Sequence, residues 1–123
     1  LATLLQCSAK ELRYLYISNC DIGDESLEAL VPALANCSRL RSLGLESNPT
    51  ITTRGWQSLA TILEAPNSNL HELYISRNNA DDEAVAAFAN ALVSNHTLHT
   101  LYLWGNRSIT SIGWEAFSKV LCD

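Results

Sequence analysis

Residues 12–20 read "LRYLYISNC", and the same frame returns as "LRSLGLESN" at 40–48, "LHELYISRN" at 70–78 and "LHTLYLWGN" at 98–106. Each copy follows L-x-x-L-x-L-x-x-N/C. The aliphatic positions Leu12, Leu15, Ile17, Leu40, Leu43, Leu45, Leu70, Leu73, Ile75, Leu98, Leu101 and Leu103 hold only Leu or Ile, and the closing position holds Cys20, Asn48, Asn78 and Asn106. Apolar residues alternating with other types have the two-residue period of a strand. The copies start at 12, 40, 70 and 98, so the spacing runs 40 − 12 = 28, 70 − 40 = 30 and 98 − 70 = 28. A longer period of 28 + 30 = 58 therefore overlies the short one. "LYISNCDIGDESLEAL" from Leu15 pairs with "LYISRNNADDEAVAAF" from Leu73, and "NPTITTRGWQSL" from Asn48 pairs with "NRSITSIGWEAF" from Asn106.

Beyond each closing residue lies a short turn, then apolar residues at helical spacing: Leu27, Leu30 and Leu34; Trp56, Leu59 and Leu63; Val85, Phe88 and Leu92; Trp114, Phe117 and Leu121. Each unit is a strand, a turn and a helix. One such unit cannot bury its own apolar side, so the units stack on one another, with parallel strands side by side and helices behind them. The aliphatic strand positions and the helix stripes, both Trp56 and Trp114 included, are expected in the core.

The chain resembles the leucine-rich repeat family, specifically its ribonuclease-inhibitor-like subclass with long, α-helical repeats. The resemblance implies an α/β solenoid curved into a horseshoe, with parallel β-strands on the concave face and α-helices on the convex face. The repeats are expected at 12–39, 40–69, 70–97 and 98–123 of a single 1–123 domain, with 1–11 as the end of a preceding repeat, since Leu1, Leu4 and Leu5 fall 58 residues before Leu59, Ile62 and Leu63. The 30-residue repeat is slightly long for the subclass. Neither end has the polar capping repeat that solenoids use, which points to a piece of a longer array.

Composition excludes some classes. A net charge of -5 and a pI near 5.0 give no basic stripe for nucleic acid and disfavour acidic membranes. No apolar run approaches the ~20 residues of a membrane span. Cys7, Cys20, Cys37 and Cys122 show no CxxC and no zinc spacing, and are read as free, mostly buried thiols of a reducing compartment, the cytoplasm. The Asn-x-Ser/Thr triplets at Asn36, Asn95 and Asn106 are short enough to arise by chance.

Residues 20–26, "CDIGDES", gather Asp21, Asp24 and Glu25 around a glycine, as a cation site or an acid–base pair would. Aligned with the other repeats, Asp24 matches Thr53, Asp82 and Ser111, all favoured helix N-cap types, so capping is the expectation and no metal or cofactor is expected. No nucleophile–base motif, phosphate loop or dinucleotide fingerprint is present. His71 and His99 share one position on adjacent strands, roughly 5 Å apart, without a third ligand.

The side chains between the inward positions face outward: Tyr14, Tyr16 and Ser18; Ser42, Gly44 and Glu46; Glu72, Tyr74 and Ser76; Thr100, Tyr102 and Trp104. All four tyrosines lie there, beside a weakly basic row of Arg13, Arg41, His71 and His99. An aromatic patch with a polar rim is the composition of a protein-interface core. The expected function is a non-catalytic protein-interaction scaffold, with binding residues Tyr14, Tyr16, Glu46, Glu72, Tyr74, Tyr102, Trp104, Arg13, Arg41, His71 and His99, and a gap at Gly44 that could admit a partner side chain. The resemblance also implies an alternative, a GTPase-activating or other enzyme-regulatory protein, for which no motif carries residues over.

Overall fold

In the computed structural model, residues 11–65 and 68–122 are described. Strands β1 (Tyr14–Tyr16), β2 (Ser42–Gly44), β3 (Glu72–Tyr74) and β4 (Thr100–Tyr102) alternate with helices α1 (Asp24–Ala35), α2 (Thr53–Glu64), α3 (Asp82–Leu92) and α4 (Ser111–Cys122). The strands form one parallel sheet in sequence order, β1-β2-β3-β4. Leu15, Leu43, Leu73 and Leu101 stand opposite one another, so the repeat frame is also the strand register. Each helix packs on the helix of the next repeat. The preceding helix expected over 1–8 lies outside the described residues.

The core sits between sheet and helices. Leu43, Leu45, Leu73 and Ile75 from the strands meet Leu27, Trp56, Leu59, Leu63, Val85 and Phe88 from the helices, all fully buried. Full burial of such a side chain stabilises by about 1.5–3 kcal/mol. Trp56 packs against Phe88 with ring centroids 6.3 Å apart. Trp114 departs from the expected core role, being 49% exposed. Trp56 is covered by α3, whereas no described helix lies beyond α4.

The closing asparagines join the repeats into a ladder. The Asn48 side-chain amide donates to the carbonyls of Ile17 and Leu45, and its Oδ1 accepts from the N–H groups of Cys20 and Ile22 at 3.1 Å each. Asn78 Oδ1 accepts from Asn48 N–H, and Asn106 Oδ1 accepts from Asn78 and Ala80 N–H. Buried turn backbone must find such partners. Directly before each closing residue, Asn19, Ser47, Arg77 and Gly105 have φ of 53, 58, 59 and 80°. This left-handed step turns the chain so that the asparagine points in, and only the last copy uses the residue type that adopts it without strain. Asn106, its amide donating to the Ile75 and Leu103 carbonyls, is buried, which removes one of the three glycosylation triplets from the surface. Cys37 is buried as expected, and burial pushes its thiol up. Cys20 is exposed, an exception to the mostly buried thiols expected.

The 58-residue period has a physical cause. The turns at 45–52 and 103–110 are one residue longer than those at 17–23 and 75–81. The helix starts fall one residue earlier than the sequence implies: the N-caps are Gly23, Thr52 and Asp81, and Asp24 and Asp82 are first helical residues. Asp24 does not cap its own helix. Its Oδ1 accepts from the N–H of Thr52 at 2.8 Å and of Gly55 at 3.1 Å, and its Oδ2 from the Thr52 hydroxyl. It thus caps α2, one repeat on. Asp82 makes the same three bonds to Thr110 and Gly113 at the start of α4. Between these pairs Asp81 accepts from Ala84 N–H in its own helix and from the Thr53 hydroxyl of the preceding one. Glycine recurs at 55 and 113 because a Cβ there would stand 2.4 Å and 2.5 Å from the carboxylate oxygens of Asp24 and Asp82.

Candidate protein-interaction surface

With the core behind the sheet, the strands' other face carries the side chains left over from the inward frame. Tyr14, Tyr16, Tyr102 and Trp104 are each about half exposed, at 57, 57, 46 and 57%. The strand register places Tyr16, Gly44, Tyr74 and Tyr102 in one row. Tyr74 and Tyr102 stack, with centroids 4.9 Å apart and planes 11° from parallel. Tyr16 crosses the glycine to reach them, its centroid 6.2 Å from that of Tyr74 and its hydroxyl 2.6 Å from Ser42 Oγ.

This crossing corrects two expectations. Gly44 is not an open gap, since a Cβ on it would meet the Tyr16 ring at 2.4 Å. Glycine is required there because the ring lies flat on its backbone. Ser42 and Ser76, expected outward, are fully buried, Ser42 beneath the Tyr16 hydroxyl that it binds. The Tyr16 ring covers Ser42 on the next strand, an effect that alternation along one strand does not reveal.

Polar groups hold the row in place. The Tyr74 hydroxyl donates to Glu72, and that bond, with the carboxylate's negative charge, pushes the phenol up to about 12. Arg77 lies over the Trp104 ring, 4.5 Å from its centroid. This cation–π contact was not foreseen, although Arg77 and Trp104 stand on neighbouring repeats at the end of the frame. Glu46 is partly buried in the turn that follows β2.

Ahead of the strands, Arg13, Arg41, His71 and His99 also form a row in register, for Arg41 N–H donates to the Arg13 carbonyl, His71 N–H to that of Arg41 and His99 N–H to that of His71. The two imidazoles stack at 4.9 Å and 10°. Each Nδ1 faces a carbonyl two residues back, Asn69 at 2.6 Å and Thr97 at 2.5 Å. Among the described residues no three His, Cys, Asp or Glu side chains gather where they could hold a metal ion. Asp24 and Asp82 are helix-cap carboxylates. Burial pushes Asp24 up, but the bonds from Thr52, the Arg54 charge and the Gly55 N–H outweigh it and leave the group below its ordinary value. Asp82 is lowered by the Thr110 hydroxyl first, then by the Thr110 and Gly113 N–H groups.

Among the described residues no helix is long and apolar enough to cross a membrane. The architecture, parallel strands each followed by a helix, with buried asparagines closing three of the four strand segments, is that of a repeat protein. A family model for the leucine-rich repeat matches residues 10–31 and 67–89. Leucine-rich repeat-containing protein 14 of Homo sapiens is 46% identical over 46 residues, 37% of this chain and 9% of the relative. NACHT, LRR and PYD domains-containing protein 5 of Mus musculus is 31% identical over the whole chain, 10% of its own length. The chain thus spans about a tenth of the length of the curated relatives it matches. A solved structure named for leiomodin-1 actin-binding site 2 superposes with a TM-score of 0.86 at 21% identity, covering 98% of this chain and 69% of that one. At that identity the likeness is one of fold. These matches support the leucine-rich repeat family.

Proposed function

We propose that this chain is a non-catalytic protein-interaction module that takes its partner on the concave strand face, as part of a longer array of ribonuclease-inhibitor-like repeats. The observation that carries the reading is the row Tyr16–Tyr74–Tyr102 on one face of the sheet, with Tyr74 partly buried between exposed neighbours and with exposed Trp104 and Arg77 beside it. Tyr, Trp and Arg are the side chains that dominate interface energetics. Stacking and the Glu72 and Ser42 bonds restrict the rings before any partner arrives, which lowers the entropy lost on binding. The subclass is supported by the α-helices on the far side of the sheet, and a longer array by the relative matched over the whole chain, of which the match is only 10%. Four strands span only about 19 Å at ~4.8 Å each, so this surface alone forms a small interface.

The test is affinity capture with the chain as bait. Wild type and an Ile112→Ala variant on the helix side are expected to retain the same partner, and Tyr74→Ala/Trp104→Ala to lose it at unchanged folding by circular dichroism. Retention by the double variant would defeat the proposal.

A further inference from the structure

The basic row has a feature that the fold does not require. Arg13 and Arg41 stand opposite each other on adjacent chain segments, both exposed. Like charges so placed destabilise a sheet. Neither has a carboxylate within ion-pair distance among the described residues, where the pairs are Arg39 with Glu11 and Arg54 with Glu28. His71 and His99 continue the row, so no acid interrupts it, in a chain whose net charge is -5. Glu72, which follows His71 on the face, accepts from the Tyr74 hydroxyl. Two arginines without a carboxylate partner among the described residues, at one end of a row that runs parallel to an aromatic line on an acidic protein, leave counter-charges for a partner to supply.

Resting on the interaction reading above, we infer that the face takes an extended, acidic protein segment laid across the strands, with acidic and apolar residues alternating. The spacing favours this form. From the Arg13 register to the His99 register is three strand intervals, about 14 Å at ~4.8 Å each. Same-side residues of an extended chain recur about every 6.7 Å, so three successive acidic side chains span the row. The tyrosine row lies three residues further along the chain in each repeat, where the intervening side chains of such a segment arrive. Its apolar residues pack on Tyr16, Tyr74 and Tyr102, and its carboxylates take the guanidinium groups of Arg13 and Arg41, a charge-assisted contact. Binding is then salt-sensitive, because exposed charges are screened.

The probe is a fluorescein-labelled nine-residue peptide alternating Glu and Leu, titrated with the protein by fluorescence anisotropy at low and high salt, beside the same peptide with Lys for Glu. Tighter binding of the Glu peptide, weakened about tenfold or more by Arg13→Glu/Arg41→Glu and by salt, is expected. Equal binding of the two peptides, no binding of either, or indifference to Arg13→Glu/Arg41→Glu overturns the inference. The Tyr74→Ala/Trp104→Ala variant separates it from the broader reading: binding lost there but unmoved by the arginine changes removes the acidic segment alone. Binding unmoved by either pair of changes removes the aromatic face as well.

Discussion

Replacing Gly55 with alanine tests the link between repeats that sets the 58-residue period. On an isolated helix the change is favourable by about 1 kcal/mol, since alanine is the better helix former. Here the new Cβ would stand 2.4 Å from Asp24 Oδ1, 2.7 Å from Ile51 Cγ2 and 3.4 Å from Leu27 Cδ2. The carboxylate must swing off the helix start, removing a cap that contributes about 1 kcal/mol. The Ile51 methyl, fully buried, must also shift, and overpacking of that kind costs about 1–3 kcal/mol. Against the propensity gain, Gly55→Ala is expected to destabilise by about 2 kcal/mol. Asp24→Ala alone is expected to cost about 1 kcal/mol. In the double variant the cap can be lost only once and the clash with the carboxylate is gone, so its cost falls short of the summed singles by about 1 kcal/mol. Urea unfolding followed by circular dichroism measures all three, provided that the slope stays constant. A neutral or stabilising Gly55→Ala, or additivity within about 0.5 kcal/mol, would refute the reasoning.

Other expectations follow from the same contacts. Asn48→Ala strands the N–H groups of Cys20 and Ile22 and the carbonyls it serves, and is expected to cost about 3 kcal/mol or more by chemical unfolding; a loss under about 1 kcal/mol would contradict the ladder. Trp56→Ala removes a fully buried side chain and should cost about 3–5 kcal/mol, whereas the half-exposed Trp114 should cost clearly less, and equal costs would be inconsistent with their burial. The bonds to Asp24 and Asp82 favour their charged forms, so that stability is full above the ordinary carboxylate value of 3.8 and is lost as pH falls toward the depressed folded values. Melting temperature should therefore drop less between pH 7 and pH 3 for Asp24→Asn/Asp82→Asn than for wild type, and an equal drop counts against the two caps. In an ultraviolet titration Tyr74 should ionise at about 12, and Glu72→Gln should bring it down toward the ordinary phenol value of 10.0; an unchanged curve would dismiss the Glu72 bond.

The strands and core were legible because one frame recurs four times: Leu15, Leu43, Leu73 and Leu101 share a column in the sequence and a register in the sheet. The outward residues followed from alternation. What alternation along a strand cannot supply is the contact across strands, so the Tyr16 ring over Gly44, the covered Ser42 and the Arg77–Trp104 pair were not foreseen. The role of Asp24 was half visible. Its type suited a helix start, but the helix it serves has its N-cap, Thr52, 28 residues later, and the clue was the pairing of Asp24 and Asp82 with Gly55 and Gly113. Trp114 shares its sequence frame with the buried Trp56, and burial differs because a neighbouring helix, not the residue itself, supplies the cover.

The proposed function has partners dock on the concave strand face, and photo-crosslinking reads this most directly. A benzophenone side chain placed at Tyr102 on that face, or at Ile112 on the helix side where exposure is 70%, is irradiated with the captured partner bound. Crosslinks from position 102 and none from 112 are the expected result. Crosslinks from 112 with none from 102 would contradict it.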